Sequence, residues 1–289
     1  MTDTSGIPAT MRAVRLLGAG GAADIAVEEI DTPRPLEGEA LVRVPAAAIT
    51  RDELTWPTDR LPATPSYEMA GEVVAVAPGV ETVAVGDAVF ALTPFDRNGA
   101  AADYMAVPVN LLAPSPSSID DVSRAALPMG ALSAWQGLFD HGHLETGQRV
   151  LVTGTHGGVG HLATQIARSQ GAQVIDGEGG EPADLVFDTV GGDVLLRSPS
   201  LVRQGGRIVS IAEEPHEIPE GAQIETVYFV VESNRGQLLE VARLVDAGEV
   251  RPEIDSVFPL AEARDAFERT EQRGKHGKVV LRVTGGEAP

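Results

Sequence analysis

Apolar and polar positions change period along this chain. From 11 to 113 they alternate in short runs, MRAVRLL, ALVRVPAAAI, GEVVAVAP, DAVFAL and DYMAVP, parted by turns such as Pro78-Gly79 and Val85-Gly86-Asp87. That pattern predicts a small, irregular, barrel-like β-rich domain. Residues 119–139 predict a helix pair broken near Pro128. From 149 to about 211, strand and helix patterns alternate as α/β architecture requires, and RIVSIA (207–212) is the last strand of that series. TVYFVV (226–231) predicts a further strand and Gly236 to Ala247 a helix. From Val250 the tail returns to β character in SVFPL and KVVLRV, with a helix over 261–270 between them. No internal repeat or low-complexity segment occurs.

The segment 149–171, RVLVTGTHGGVGHLATQIARSQG, carries the first chemical signal. An apolar strand runs into a glycine loop and then into a helix whose Val159, Leu162, Ala163, Ile166 and Ala167 fall at helical spacing. Gly154, Gly157, Gly158 and Gly160 permit close backbone approach, so a diphosphate could meet bare N–H groups at a helix N-terminus. Thr155 stands where the first glycine of the G-x-G-x-x-G register belongs, and a tight strand-to-helix turn is the bland reading. The strand AQVI (172–175) is followed almost at once by DLVFDTV (184–190), where a complete βαβ unit needs about 30 residues or more. The phosphate end of a nucleotide site is present and the adenosine end is cut away.

Composition narrows the partners. The 289 residues contain no cysteine, which excludes disulfides and thiolate metal sites. The formal charge is −20, and Lys275 and Lys278 are the two lysines, so neither nucleic acid nor an anionic membrane is an expected partner. No apolar run of signal-peptide or membrane length opens the chain, and a cytoplasmic location is expected. His141 and His143 have no ligand set around them beyond Asp140 and Glu145, His156 sits inside the glycine loop, and neither G-x-S-x-G nor H-E-x-x-H occurs.

In family order, MRAVRL, DELTW, SYEMAGEV, GDAVFALTPFDR, AALPMGALSAWQGLFDHG, VLVTGTHGGVGHLATQIAR, LVFDTVGGD, GGRIVSIAEEP, VFPLAEARDAFER and GKVVLRV cover nearly the whole chain. In these segments it resembles the zinc-free quinone-oxidoreductase branch of the medium-chain dehydrogenase/reductase superfamily. The resemblance implies a mixed α/β fold: a GroES-like β-rich catalytic domain from 1–118 and 251–289, and over 119–250 a Rossmann-type parallel sheet lacking one βα unit. It implies zinc-independent, NAD(P)H-linked reduction of a quinone or α,β-unsaturated carbonyl that is small and apolar, by a homodimer. It places Thr50 and Tyr67 at the reacting centre, with Trp56, Phe95 and Trp135 as apolar walls. Val190, in the turn after Asp188, and the backbone around Phe229 fall near the cofactor, and Lys278 is a cation available to a phosphate. A phenol at Tyr67 could donate to a carbonyl oxygen, and a buried structural tyrosine is the other reading.

The departures from the family pattern are as informative. Zinc-dependent relatives carry Cys near Thr50, Gly-His-Glu near 66–68 and a second Cys; this chain has Thr50 and Ser66-Tyr67-Glu68 there and too few donors for zinc. The unit lost after AQVI is the one that grips the 2′-phosphate of NADPH in relatives. Its replacement, DGEGGEPAD, sets Asp176, Glu178, Glu181 and Asp184 with no cation among them, which predicts poor NADPH binding. Asp176 or Glu178 just past the second strand could instead hold a ribose diol and favour NADH, or form a solvated acidic loop. The alternative of a cofactor-independent cyclase- or isomerase-type enzyme of a biosynthetic pathway stays open. In the 3-2-1-4-5-6 strand order the third strand lies at the edge, so its loss need not split the core.

Overall fold

The structure, a computed structural model, describes residues 6–56, 59–176, 181–216 and 218–283. The chain forms two compact units, one of Met1–Pro128, Ser233–Asp246 and Glu253–Pro289, the other of Met129–Glu232 and Ala247–Pro252.

In the first unit, β1 (Thr10–Leu16) and β2 (Ile25–Asp31) form an antiparallel pair with Val14 opposite Val27. β3 (Glu39–Ile49) pairs antiparallel with both β4 (Glu68–Val76) and β6 (Tyr104–Pro108), while β5 (Ala88–Leu92) bridges β4 and β7 (Ala113–Pro114). As a central strand β3 is buried on both faces, which is why ALVRVPAAAI reads as a nearly continuous apolar run. Pro45, which has no N–H to give a ladder, falls where the β3–β4 register shifts between Arg43 and Ala46. Gly71 lies against that irregularity, and a Cβ there would stand 2.2 Å from the Arg43 carbonyl oxygen. Of the helix pair expected near Pro128, α1 (Asp121–Ala125) is capped by the Asp120 carboxylate accepting from Ser123 N–H at 2.9 Å, while α2 (Pro128–Trp135), which runs into a π-helical turn over Gln136–Asp140, belongs from Met129 onward to the second unit.

The second unit is the parallel sheet. β8 (Arg149–Val152) leads through the glycine loop to α3 (Gly160–Ser169), then β9 (Gln173–Ile175), β10 (Ala183–Asp188), α4 (Gly192–Arg197), β11 (Val202–Ser210) and β12 (Glu225–Tyr228). The strand order is β12-β11-β10-β8-β9, all pairs parallel. β9 is a true second strand, with Val174 paired to Val150 and Ile175 to Leu151, and it ends the sheet where a third strand would follow. Leu162, Ala163, Ile166 and Ala167 are the buried face of α3, as their spacing predicts, together with His161. Under the other face Leu151, Val186 and Ile208 pack with Leu195 and Val202, and Ile175 and Leu201 close the β9 side.

The tail then completes the first unit. β13 (Ile254–Pro259) pairs parallel with β14 (Lys278–Arg282), and β14 pairs antiparallel with β3. The helices are α5 (Arg235–Asp246) and α6 (Ala263–Glu271), the latter burying Phe267 in the β-rich core. The helix α5 differs from the expected boundary at 250, because it is tied to the β-rich unit. Arg235 Nε donates to the Leu112 carbonyl at 2.7 Å, and Asp246 accepts from Ser118 N–H at 2.9 Å.

Candidate functional site

The glycine loop is built by backbone close approach. Gly154 has φ +67°, and a Cβ on it would meet Thr189 Oγ1 at 2.6 Å and Val190 Cγ2 at 2.9 Å in the turn after β10. A Cβ on Gly160, the first residue of α3, would stand 2.2 Å from the Gly154 carbonyl oxygen, and one on Gly130 of α2 would stand 2.4 Å from that of Gly158. Gly157 N–H closes the loop on the Gly154 carbonyl at 2.8 Å. Gly154, Thr155 and His156 are exposed; Gly157, Gly158 and Val159 are half-buried. Among the described residues no side chain caps α3, so the amide groups at its N-terminus face the loop. His161, which the sequence reading passed over, anchors the loop: it is buried, and its Nδ1–H donates to the Gly157 carbonyl at 2.7 Å. Its position one residue after the last glycine, on the inward side of an amphipathic helix, was the available signal.

The strand ends beside the loop converge on Asp188, which is wholly buried. It accepts from Thr153 Oγ1 at 2.7 Å, Ser210 Oγ at 3.0 Å and Gly191 N–H at 2.9 Å, so one carboxylate ties together the C-terminal ends of β8, β10 and β11. Val190, half exposed, lies between this anchor and the positive-φ pair Gly191-Gly192. Phe229 follows β12; it is buried, its N–H reaches the Ser210 carbonyl at 3.3 Å, and its ring lies 4.4 Å from that of His141. Gln136 holds the next turn by bonds with both Glu232 N–H, at 3.0 Å, and its carbonyl, at 2.8 Å. Trp135 stacks edge-on with Phe139 at 5.0 Å.

Beside β9 lies a cleft of about 650 Å³, lined among others by Thr155, Val174, Ile175, Asp176, Arg149 and Arg168. Its charges correct the picture of four carboxylates without a cation. Glu181 pairs with Arg149 at 2.9 Å. Asp184 pairs with Arg203 at 2.6 Å and accepts from Arg149 N–H at 2.8 Å; burial opposes its ionisation, yet these donors hold its carboxyl below the usual range. Both sit near the N-terminal ends of the strands, away from the edge where ligands bind. Asp176 remains at the C-terminal end of β9; Glu178 lies outside the described residues.

In the first unit, Thr50, Glu68 and Lys278 come together. Thr50 Oγ1 donates to Glu68 Oε1 at 3.0 Å, and the Lys278 ammonium donates to Thr50 Oγ1 at 2.9 Å and to Glu68. Glu68 has no exposed surface and Lys278 is 6% exposed, so Lys278 is an internal ion-pair partner and not the surface cation expected for a phosphate. Glu53, also fully buried, accepts from Thr50 N–H and Ser66 N–H, each at 3.0 Å; burial pushes its carboxyl up to about 8. Ser66, where zinc relatives carry glycine, adopts φ +69° and donates its hydroxyl to the Ala48 carbonyl at 2.8 Å. Tyr67 has no exposed surface, its hydroxyl accepts from Arg60 Nη2 at 2.9 Å, and its ring packs 5.7 Å from Trp56 and 5.3 Å from Phe95. Burial raises its phenol above the usual range. This placement is that of a structural tyrosine and corrects the expectation of a direct proton donor.

Zinc does not fit here. An ammonium already lies on Glu68 and Thr50, and among the described residues no group of three or more His, Cys, Asp or Glu is placed to hold a metal. The residues present suit a nicotinamide cofactor's diphosphate: exposed Gly154, Thr155 and His156 lead to the N-terminus of α3, where no side-chain cap is found among the described residues. Among the described residues no helix is long and apolar enough to cross a membrane.

Comparison with known proteins agrees with this architecture. Residues 36–117 match the alcohol dehydrogenase GroES-like domain and residues 162–281 the zinc-binding dehydrogenase family. A probable zinc-binding oxidoreductase, mitochondrial, of Arthroderma benhamiae is 31% identical, over 98% of this chain and 100% of its own. The chain belongs to the medium-chain dehydrogenase/reductase superfamily, as a quinone oxidoreductase-like member. An NADPH-dependent alkenal/one oxidoreductase, chloroplastic, of Arabidopsis thaliana is 29% identical, over 97% of this chain and 82% of its own. An alcohol dehydrogenase superfamily protein of Novosphingobium aromaticivorans superposes with a TM-score of 0.87 at 28% identity, covering 95% of this chain and 100% of that one. The Arthroderma alignment spans 333 positions, more than the 289 residues of this superfamily member, in which no third strand lies between β9 and β10 among the described residues.

Proposed function

We propose that this superfamily member is a zinc-independent, NAD(P)H-dependent reductase of quinones or α,β-unsaturated carbonyls. The observation that carries the reading is the glycine loop at the N-terminus of α3, supported by the resemblance to reductases named for alkenals, enones and quinones. Gly154, Thr155, Gly157, Gly158, Val159 and Gly160 would hold the diphosphate, and the turn at Val190 and the backbone at Phe229 the nicotinamide half. When bound, the nicotinamide supplies the hydride. The chain's own part is to bind, orient and hold charge.

We infer a preference for NADH on a narrower basis than the loop's composition suggested. Glu181 and Asp184 pair with arginines near the N-terminal ends of the strands, and Asp176 is the described carboxylate that follows the C-terminal end of β9. Such a group accepts from a ribose diol and repels a 2′-phosphate. We also infer a homodimer through β12, whose outer edge is unpaired among the described residues and carries the exposed Tyr228, followed by Val230. Light scattering should return twice the 30.2 kDa chain mass, and a monomer would remove this element of the account.

Turnover tests the whole reading. Purified protein with NADH and a panel of benzoquinones and enones should oxidise NADH in a substrate-dependent manner, and EDTA should leave the rate unchanged. Loss of rate with EDTA, restored by zinc, would contradict the metal-free assignment.

A further inference from the structure

The buried cluster in the first unit has a geometry that a purely structural ion pair does not require. Lys278, on β14, reaches a carboxylate that starts β4 and a hydroxyl that ends the strand β3 next to it, so a single ammonium donates to both. Glu68 has no exposed surface and Lys278 almost none, whereas Thr50 is half-buried and is the most exposed of the three. Glu53 fixes the Thr50 backbone from behind through the Thr50 and Ser66 amides. The titratable groups facing the ammonium are Glu68 and Glu53, the latter keeping its proton below about pH 8, with Lys275 and Arg51 further along the tail and past the end of β3. Positive charge delivered to the hydroxyl of a residue that is not fully buried is an arrangement suited to stabilising a developing oxyanion.

We propose that Lys278 is a positioning residue that supplies, through Thr50, the positive charge a bound metal supplies elsewhere, and that the Thr50 hydroxyl is the oxyanion-holding group of this unit. The proposal rests on the reductase reading above. When a quinone or enone accepts a hydride at carbon, a C–H bond forms and the displaced π pair moves onto the carbonyl oxygen. The Thr50 O–H turns from Glu68 to that oxygen, while Lys278 keeps donating to Thr50 Oγ1 and Glu68. No bond to protein forms. The oxyanion then takes a proton from water, giving the enol; from a quinone this is the keto tautomer of the hydroquinone, which forms when the reduced carbon gives up a proton to water and the second carbonyl oxygen takes one.

Two substitutions separate this role from a structural one. Thr50→Val removes the hydroxyl at nearly constant volume. Lys278→Met is made together with Glu68→Gln, because removing the lysine alone leaves a buried carboxylate without its cation. Both variants should bind NADH like wild type, and both should lose about 100-fold in kcat with KM for the quinone little changed, the size expected for a lost oxyanion donor. Thr50→Ser should recover most of the rate. A readout free of turnover uses p-nitrophenolate as the oxyanion and nitrobenzene as its neutral match, followed by absorbance and calorimetry. Wild type should bind the phenolate about tenfold more tightly than either variant does, a loss of one hydrogen bond to a charged group, with nitrobenzene affinity equal in all three. Full kcat in either variant, or equal phenolate affinity across the three proteins, overturns the proposal. If wild type fails to bind NADH or to turn over any quinone, the reductase reading falls, and the phenolate titration still decides whether Thr50 and Lys278 hold an oxyanion.

Discussion

Glu53 shows how a single buried group sets a pH response. Its carboxyl is pushed up to about 8 by burial, against an ordinary value near 4.5, so between those limits the folded state keeps a proton that the unfolded state releases. Stability from this group is fully present below about pH 4.5 and falls as pH rises through 8, by roughly a few kcal/mol in all. Chemical denaturation of wild type and Glu53→Gln across pH 5 to 9 should show a falling curve for wild type and a flatter one for the variant. Equal slopes would show that Glu53 is ionised in the fold. Neither this behaviour nor the place of Lys278 was legible along the chain. The GK pair at 277–278 looks like a surface cation until a carboxylate 210 residues away in sequence closes on it. Tyr67 was equally opaque, since a motif position near a metal ligand does not reveal that Arg60 and two aromatic rings enclose the phenol. The glycines were legible, because close backbone approach excludes every side chain and leaves its mark in residue type.

At the scale of elements, the loop and α3 act as one piece. Gly160→Ala places a Cβ 2.2 Å from the Gly154 carbonyl, and the backbone must shift to relieve it. The expected outcome is a loss of about 1–3 kcal/mol in stability, the usual cost of overpacking, and at least about tenfold weaker NADH binding. Calorimetry and a thermal melt check both; unchanged affinity would detach the loop from cofactor binding. The strand deletion was readable from spacing alone, because the stretch between AQVI and DLVFDTV cannot contain a crossover helix and a strand. The sheet accordingly ends at β9 with its core intact under Leu151, Val186 and Ile208. The allegiance of α5 was not readable, since an amphipathic helix does not record which core receives its face; the ties at Leu112 and Ser118 decide it.

For the whole molecule, the net charge of −20 describes the chain but not its cleft. Arginines from β8 and β11 neutralise Glu181 and Asp184, so the local field beside β9 is milder than the composition of the connecting segment suggests. The central claim is that this shortened sheet still holds a nicotinamide cofactor, with Asp176 turning it toward NADH. The most direct test is titration of the purified protein with NADH and NADPH, followed by calorimetry and by quenching of Trp56 and Trp135. The account predicts saturable NADH binding in the micromolar range and NADPH at least about tenfold weaker, the difference made by one carboxylate facing a ribose diol or a phosphate. Binding of neither below millimolar concentration would contradict it and turn attention to a cofactor-independent use of the same loop and cleft.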